Sequence, residues 1–191
     1  MFRTILSNFS LHVSLSSQEK EIAVQALQSK LIPKRSFLVR PGEIQREIYF
    51  VVSGSMRMFY PEESGQEYNI CLYPENWWAC DVVSFFNQKP SLNTIQALED
   101  TQVYYYTFSA LEALFITVPK FERFFRILSQ NGFEMYQKRI ISDHSKTAEE
   151  RYLDFRKLYP GLEQRISQKH IASFIGITPV FLSMMRKAKN L

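Results

Sequence analysis

The sequence predicts an α+β chain in three parts: an N-terminal double-stranded β-helix (a jelly roll), a long helix, and a C-terminal helix-turn-helix. Three observations carry this. Short β-rich runs separated by turn residues fill residues 37 to 108, an apolar stripe at helical spacing follows Pro119, and Ser167 to Lys187 has the spacing of two short helices around a glycine turn. The expected boundaries are 1–118 for the β-domain, 119–144 for the long helix and 145–191 for the head.

Residues 17 to 29 read as an amphipathic helix, with Ile22, Ala23, Ala26 and Leu27 on one face. The period then changes. Phe37 to Val39, Ile48 to Val52, Ser55 to Tyr60, Glu67 to Leu72 and Gln102 to Tyr106 are strand-like runs. Pro41-Gly42, Ser53-Gly54 and Glu62 to Gly65 separate them. Strands this short and this closely spaced suit an antiparallel sandwich or barrel, most simply a jelly roll. After Pro119, Phe121, Phe124, Phe125, Leu128, Met135, Ile140 and Ile141 recur at helical spacing. A protruding helix with this stripe leaves apolar surface wet unless a second copy covers it, so Phe125, Leu128 and Met135 are the expected dimer contacts. The alternative for the first two turns is packing on the helix's own β-domain. Thr147-Ala148-Glu149-Glu150 is a capping box opening a helix to about Leu158, with Tyr152, Phe155 and Leu158 inward.

In the last segment Ser167 caps a helix that turns Ile171, Ala172 and Phe174 inward, Gly176 makes the turn, and Ile177 packs between the helices. Thr178 caps the second helix with Pro179 at its first position. Leu182 and Met185 point back to the core, leaving Val180, Phe181, Ser183, Met184, Arg186 and Lys187 outward. A second helix with an exposed, partly basic face is what a major groove receives. The charge agrees: residues 144 to 191 hold nine Lys or Arg against four acids (+5), and the remainder is −1. Gln168 and Lys169 are placed for phosphate. The chain ends at Leu191, which leaves no length for a β-wing after the second helix.

The 46% hydrophobic content supports a sizeable core. Cys71 and Cys80 are too few for a disulfide framework and read as reduced, packed thiols. No apolar run reaches membrane-spanning length and the N-terminus lacks a signal pattern, so a cytoplasmic location and no membrane partner are expected. Two cysteines cannot hold an iron–sulfur cluster, and His12, His144 and His170 fall outside the β-domain, so no haem, cupin-type metal or other certain cofactor is expected. His170 is placed on a surface or phosphate-facing side. No nucleophile–base pair, P-loop or dinucleotide fingerprint is present, and an enzyme is not expected.

The ordered landmarks Pro41-Gly42, Ile48 to Gly54, Ala97-Leu98-Glu99-Asp100-Thr101 and Ile171 to Thr178 resemble the cyclic-AMP-receptor and fumarate-nitrate-reduction (Crp/Fnr) regulator family over nearly the whole chain. The resemblance implies a cyclic-nucleotide-binding-like β-roll, a dimerisation helix, and duplex DNA, a second copy and RNA polymerase as partners. In that family a glutamate takes the ribose hydroxyl, and an arginine ten residues later neutralises the phosphate. Here Asp81 and Ser91 stand at those positions. A buried phosphate without a guanidinium loses its charge-assisted bonds, at a cost of roughly 3–5 kcal/mol by analogy with buried ion pairs, which argues against cyclic AMP. Three readings stay open: a less charged effector held by Asp81, Ser84, Ser91, Asn93 and Thr94; a collapsed pocket with Trp77 and Trp78 as core; or a weakly held nucleotide. The family also carries an arginine after the serine that follows the second-helix leucine, where this chain has Met184. Thr178, Ser183, Arg186 and Lys187 remain as donors, while Val180, Phe181 and Met184 suit thymine methyl groups. The competing reading is a sensor or protein-interaction module with a degenerate helix-turn-helix.

Overall fold

The computed structural model describes residues 2–189; the expected lack of a β-wing falls on Asn190 and Leu191, outside them. Two helices, α1 (Arg3–Ser10) and α2 (Ser17–Gln25), precede eight strands: β1 (Gln28–Ile32), β2 (Phe37–Val39), β3 (Glu47–Ser53), β4 (Met56–Pro61), β5 (Glu67–Tyr73), β6 (Trp78–Ala79), β7 (Thr94–Ala97) and β8 (Thr101–Thr107). A short helix, α3 (Val82–Asn87), lies between β6 and β7. Then follow α4 (Phe108–Thr117), α5 (Lys120–Ser145), α6 (Ala148–Leu158), a 3-10 turn (Leu162–Gln164), α7 (Gln168–Phe174) and α8 (Pro179–Lys189).

The strands form two four-stranded antiparallel sheets in the orders β1-β8-β3-β6 and β2-β7-β4-β5. Their inner faces share one core, in which Tyr49, Val51 and Val103 of the first sheet meet Met56, Met58, Cys71 and Ile95 of the second. The outer face of the first sheet is buried too. Ile48, Phe50, Tyr104 and Tyr106 pack under α1, α4 and the start of α5, against Ile5, Phe9, Leu111, Phe121 and Phe124. Burial on both faces explains why β3 reads as an unbroken apolar run rather than an alternating one. Gly54 turns β3 into β4 at φ +90°, and a Cβ there would lie 2.6 Å from Thr101 Oγ1 and 2.7 Å from the Asp100 carbonyl, so both conformation and space require glycine.

Several boundaries differ from expectation. The helix expected to run to Ser29 stops at Gln25, because Gln28 to Ile32 pair with Tyr105 to Thr101 as an edge strand. Helix α5 runs unbroken through Asn131 and Gly132 to Ser145, about 39 Å at 1.5 Å per residue. Of the expected dimer contacts Phe125 is corrected, while Leu128 and Met135 are half-buried. Phe125 is 5% exposed inside the chain's own core, Leu128 packs on the same cluster, and Met135 packs on the core between the sheets. They continue the i, i+3, i+4, i+7 stripe begun by Phe121, so they turn inward. The apolar residues α5 leaves in solvent are Phe133, Ile140 and Ile141. Leu158, expected inward, lies at the helix end with 44% of its surface exposed.

The capping box of α6 is formed as the sequence predicts: Thr147 Oγ1 accepts from the Glu150 amide at 3.3 Å, and Glu150 Oε2 accepts from the Thr147 amide at 2.8 Å. Tyr152, Phe155, Tyr159, Ile171, Phe174, Ile175 and Leu182 build the head's core, and Leu72 and Leu98 of the β-roll join it. Among the described residues no single helix is long and apolar enough to cross a membrane.

Candidate functional site

The head has the geometry of a helix-turn-helix. Ser167 caps α7, accepting from the Lys169 amide at 3.3 Å. Gly176 takes φ +71°, and Thr178 Oγ1 accepts from the Phe181 amide at 3.1 Å to start α8. The chain bends by 96° from α7 to α8, within the range of this motif. Leu182 is fully buried, with Met185 and Ile177 against the same core. The outward face carries Val180 (69% exposed), Phe181 (50%), Met184 (65%), Ser183 and Lys187, with Thr178 and Gln168 also exposed. Arg186 is half-buried over the Tyr152 ring at 5.9 Å.

The effector cassette is self-satisfied. Asp81 is 4% exposed and caps α3, accepting from the Ser84 amide at 3.2 Å. Its other oxygen accepts from Ser91 Oγ at 2.6 Å and Asn93 Nδ2 at 3.0 Å. Ser84 Oγ donates to the Lys89 carbonyl at 2.7 Å and accepts from the Gln45 amide at 2.9 Å. Thr94 is buried in β7 opposite Phe59. Asp81, Ser84, Ser91 and Asn93 are thus brought together with Asp81 as their common partner, and Thr94 follows Asn93 into β7. Trp78 is core, near-parallel to Tyr106 at 6.2 Å with its indole N–H on Asn8 Oδ1 at 3.0 Å, and Trp77 packs on Tyr159 of the head. Asp81→Ala is expected to cost about 1–3 kcal/mol in a urea melt without any ligand, since it removes a cap and strands buried donors. An unchanged midpoint would mean the carboxylate is not structural.

The third feature of the site escaped the sequence: α7 is seated on β5. The Asn69 amide donates to Ser173 Oγ at 2.9 Å, Ser173 Oγ donates to the Glu67 carbonyl at 2.7 Å, and Asn69 Nδ2 donates to the His170 carbonyl at 2.8 Å. Behind them Arg57, 3% exposed in β4, donates to Glu67 at 2.9 Å, Asn69 Oδ1 at 3.2 Å and Gln96 Oε1 at 2.7 Å. Arg139 of α5 donates to the carbonyls of Asn69 (2.8 Å), Phe174 (2.7 Å) and Ile70. Arg165 bridges Glu75 (2.6 Å) and Glu99 (2.9 Å). The one available signal was Arg57 itself, a cation inside the apolar run Met56-Arg57-Met58-Phe59.

His170 is corrected from a surface or phosphate-facing residue. It turns toward β5, with Nδ1 buried and unpartnered. Burial pushes its pKa down to about 4; Arg57 and Lys169 add to this, and Glu67 opposes it. Because the folded value lies below the usual 6.5, its contribution to stability is present above pH 6.5 and is lost as pH falls toward 4. About 1–2 kcal/mol is expected to disappear between pH 7 and pH 5, and His170→Gln should flatten that slope in urea melts; an unchanged slope would place the titration elsewhere. Lys169, the expected phosphate contact, is exposed and lies 3.3 Å from Glu67. Cys71 and Cys80 are buried free thiols, and burial pushes Cys71 up to about 12.

A β-roll, a long helix and a helix-turn-helix seated on the roll make up the chain. Residues 29–117 match the cyclic nucleotide-binding domain family. The chain shares its fold with the c-di-GMP-responsive global regulator CLP of Xanthomonas campestris (15% identity, 92% of each chain, TM-score 0.71). It likewise shares it with FixK2 of Bradyrhizobium japonicum (16% identity, 86% of each chain, TM-score 0.73). The catabolite activator protein of Thermus thermophilus is a third such structure (21% identity, 92% of this chain and 84% of that one, TM-score 0.56). No curated protein matches the chain. The fold is that of the Crp/Fnr transcription regulators, with a cyclic nucleotide-binding domain at its N-terminal end.

Proposed function

We propose that this protein is a homodimeric DNA-binding transcription regulator of the Crp/Fnr type. The observation that carries this is α8: a capped helix held at 96° to α7, with Leu182 inward and an outward face that no part of the chain covers among the described residues. The solved neighbours are regulators by description, which supports carrying the same role here. Self-association is assigned to the solvent face of α5, where Phe133 and Ile140 remain after the inward stripe is packed. RNA polymerase is a further expected partner. The β-roll's effector is a small molecule other than cyclic AMP, because Ser91 stands where a guanidinium would meet the phosphate.

The test is binding of the full chain to a pool of random duplexes across a salt series. Lys187→Ala should weaken binding uniformly across sequences and reduce the salt slope by about 1. Binding that is absent at every salt concentration would overturn the regulator reading. Recovered sequences should be rich in thymine, whose methyl groups suit Val180, Phe181 and Met184. One observation favours a second reading. Three large apolar side chains on one exposed helix face also suit a protein partner, and a head that binds no duplex would point there.

A further inference from the structure

We infer that the cavity at the junction of α5, α6, α7 and β5 is a binding site for an uncharged, mainly apolar small molecule carrying one hydrogen-bond donor. The cavity has a volume of about 550 Å³, inside the usual range for drug-sized ligands. Its apolar wall comes from Ile70 of β5, Met135 of α5, Phe155 and Leu158 of α6, and Phe174 and Ile175 at the end of α7.

The charges on its rim decide the ligand class. Lys138 pairs with Glu134 and Lys146 with Asp154, both at 2.5 Å. Arg139 and Arg151 spend their guanidinium donors on main-chain carbonyls, Arg151 on Ile175 and Lys146 at 2.8 Å each. Each rim cation is therefore engaged, and an anion entering would have to displace an existing partner. Asp143 differs. Its carboxylate has only long contacts, 3.9 Å to Arg139 and 4.0 Å to Arg151, so it keeps lone pairs for a ligand N–H or O–H.

A second copy seated on Phe133 and Ile140 does not fill this space. At about 100° per residue, the row Glu134, Lys138, Ser142 lies roughly a quarter to a half turn round the helix from them, and Ile141 belongs to the cavity's lining. An occupant here touches the sensor sheet, the long helix and the head at once, so it favours whichever head orientation keeps these walls together.

The probe is N-phenyl-1-naphthylamine, an uncharged aromatic amine with one N–H, titrated into the full chain by fluorescence. Saturable binding at one site per chain is expected, weakened about tenfold or more by Ser142→Trp, which fills the cavity, and by Leu158→Gln, which makes its exposed wall polar. Val83→Gln, at an exposed apolar site on α3 away from the cavity, should leave it unchanged. The sulfonated analogue 8-anilino-1-naphthalenesulfonate should bind at least about tenfold more weakly. Urea melts check that the variants fold, and Leu158→Gln changes only a half-exposed side chain. Equal binding by all three variants would assign the dye to general surface apolarity and overturn the site. Equal binding of the sulfonate would overturn the uncharged class. Loss of dye binding as the chain self-associates would give the cavity to a second copy. None of these readouts depends on DNA, so failure of the regulator reading leaves them intact.

Discussion

Arg57→Ala is expected to destabilise the chain by about 3–5 kcal/mol. The guanidinium is buried near the start of β4 and stacked 3.8 Å from the centre of the Phe59 ring. It is the common partner of Gln96, Glu67 and Asn69. Removing it leaves a partly buried carboxylate with Lys169 as its one remaining cation and strands two amide oxygens. Those groups also position Asn69, whose side chain and main chain hold α7, so the damage should spread to the head. Hydrogen exchange should rise in α7 as well as in β4 and β5. The conservative control is the double variant Arg57→Met with Glu67→Gln, which removes both charges and should recover part of the loss. A cost below about 1 kcal/mol for Arg57→Ala would show that the buried cation is not what holds this sheet edge.

Arg139→Ala is the second large effect, about 2–4 kcal/mol, and it should be confined to the junction. One planar fork serves carbonyls on β5 and at the end of α7, and it also lies over the Phe174 ring at 4.3 Å. Among the described residues no other side chain in the junction joins α5, β5 and α7 in this way. Arg139→Lys should rescue little, because an ammonium is a point charge and cannot present donors in a rigid fork. The expected signature is a urea transition that separates into two, the head melting before the β-roll. A single cooperative transition shifted as a whole would mean the two parts remain one unit without it.

What could be read in advance was local. Ser167, Thr147 and Thr178 are caps, and each acts on an amide two or three residues away, so the helices of the head were legible residue by residue. Strand β3 was legible because burial on both faces makes it uniformly apolar. Strand β1 was not: Gln28-Ser29-Lys30 sits at a sheet edge and exposes most of its side chains, and β6 is only two residues long. The stripe on α5 revealed that the helix has an apolar face, but not what covers it. Periodicity cannot separate Phe125, turned into the β-roll, from Phe133, turned to solvent. The cassette was found, yet the mutual engagement of Asp81, Ser91 and Asn93 depends on β7 returning beside α3. The seat of α7 on β5 was beyond reach, because Asn69 and Ser173 stand 104 residues apart and neither carries a motif.

Glu67 serves two cations at once, Arg57 within the sheet and Lys169 on the head. Lys169 therefore already has a counter-ion belonging to its own chain. While Glu67 holds it, Lys169 is not free to neutralise a phosphate of the proposed duplex partner, and no DNA counter-ion is released at this position. The ionic-strength dependence of DNA binding should then be shallower than the number of basic residues on the head would give, by about 0.9 in slope for this one residue. Neutralising Glu67 should steepen it. The β-roll would in this way enter the thermodynamics of the proposed DNA recognition as a bound ion, without any change of shape.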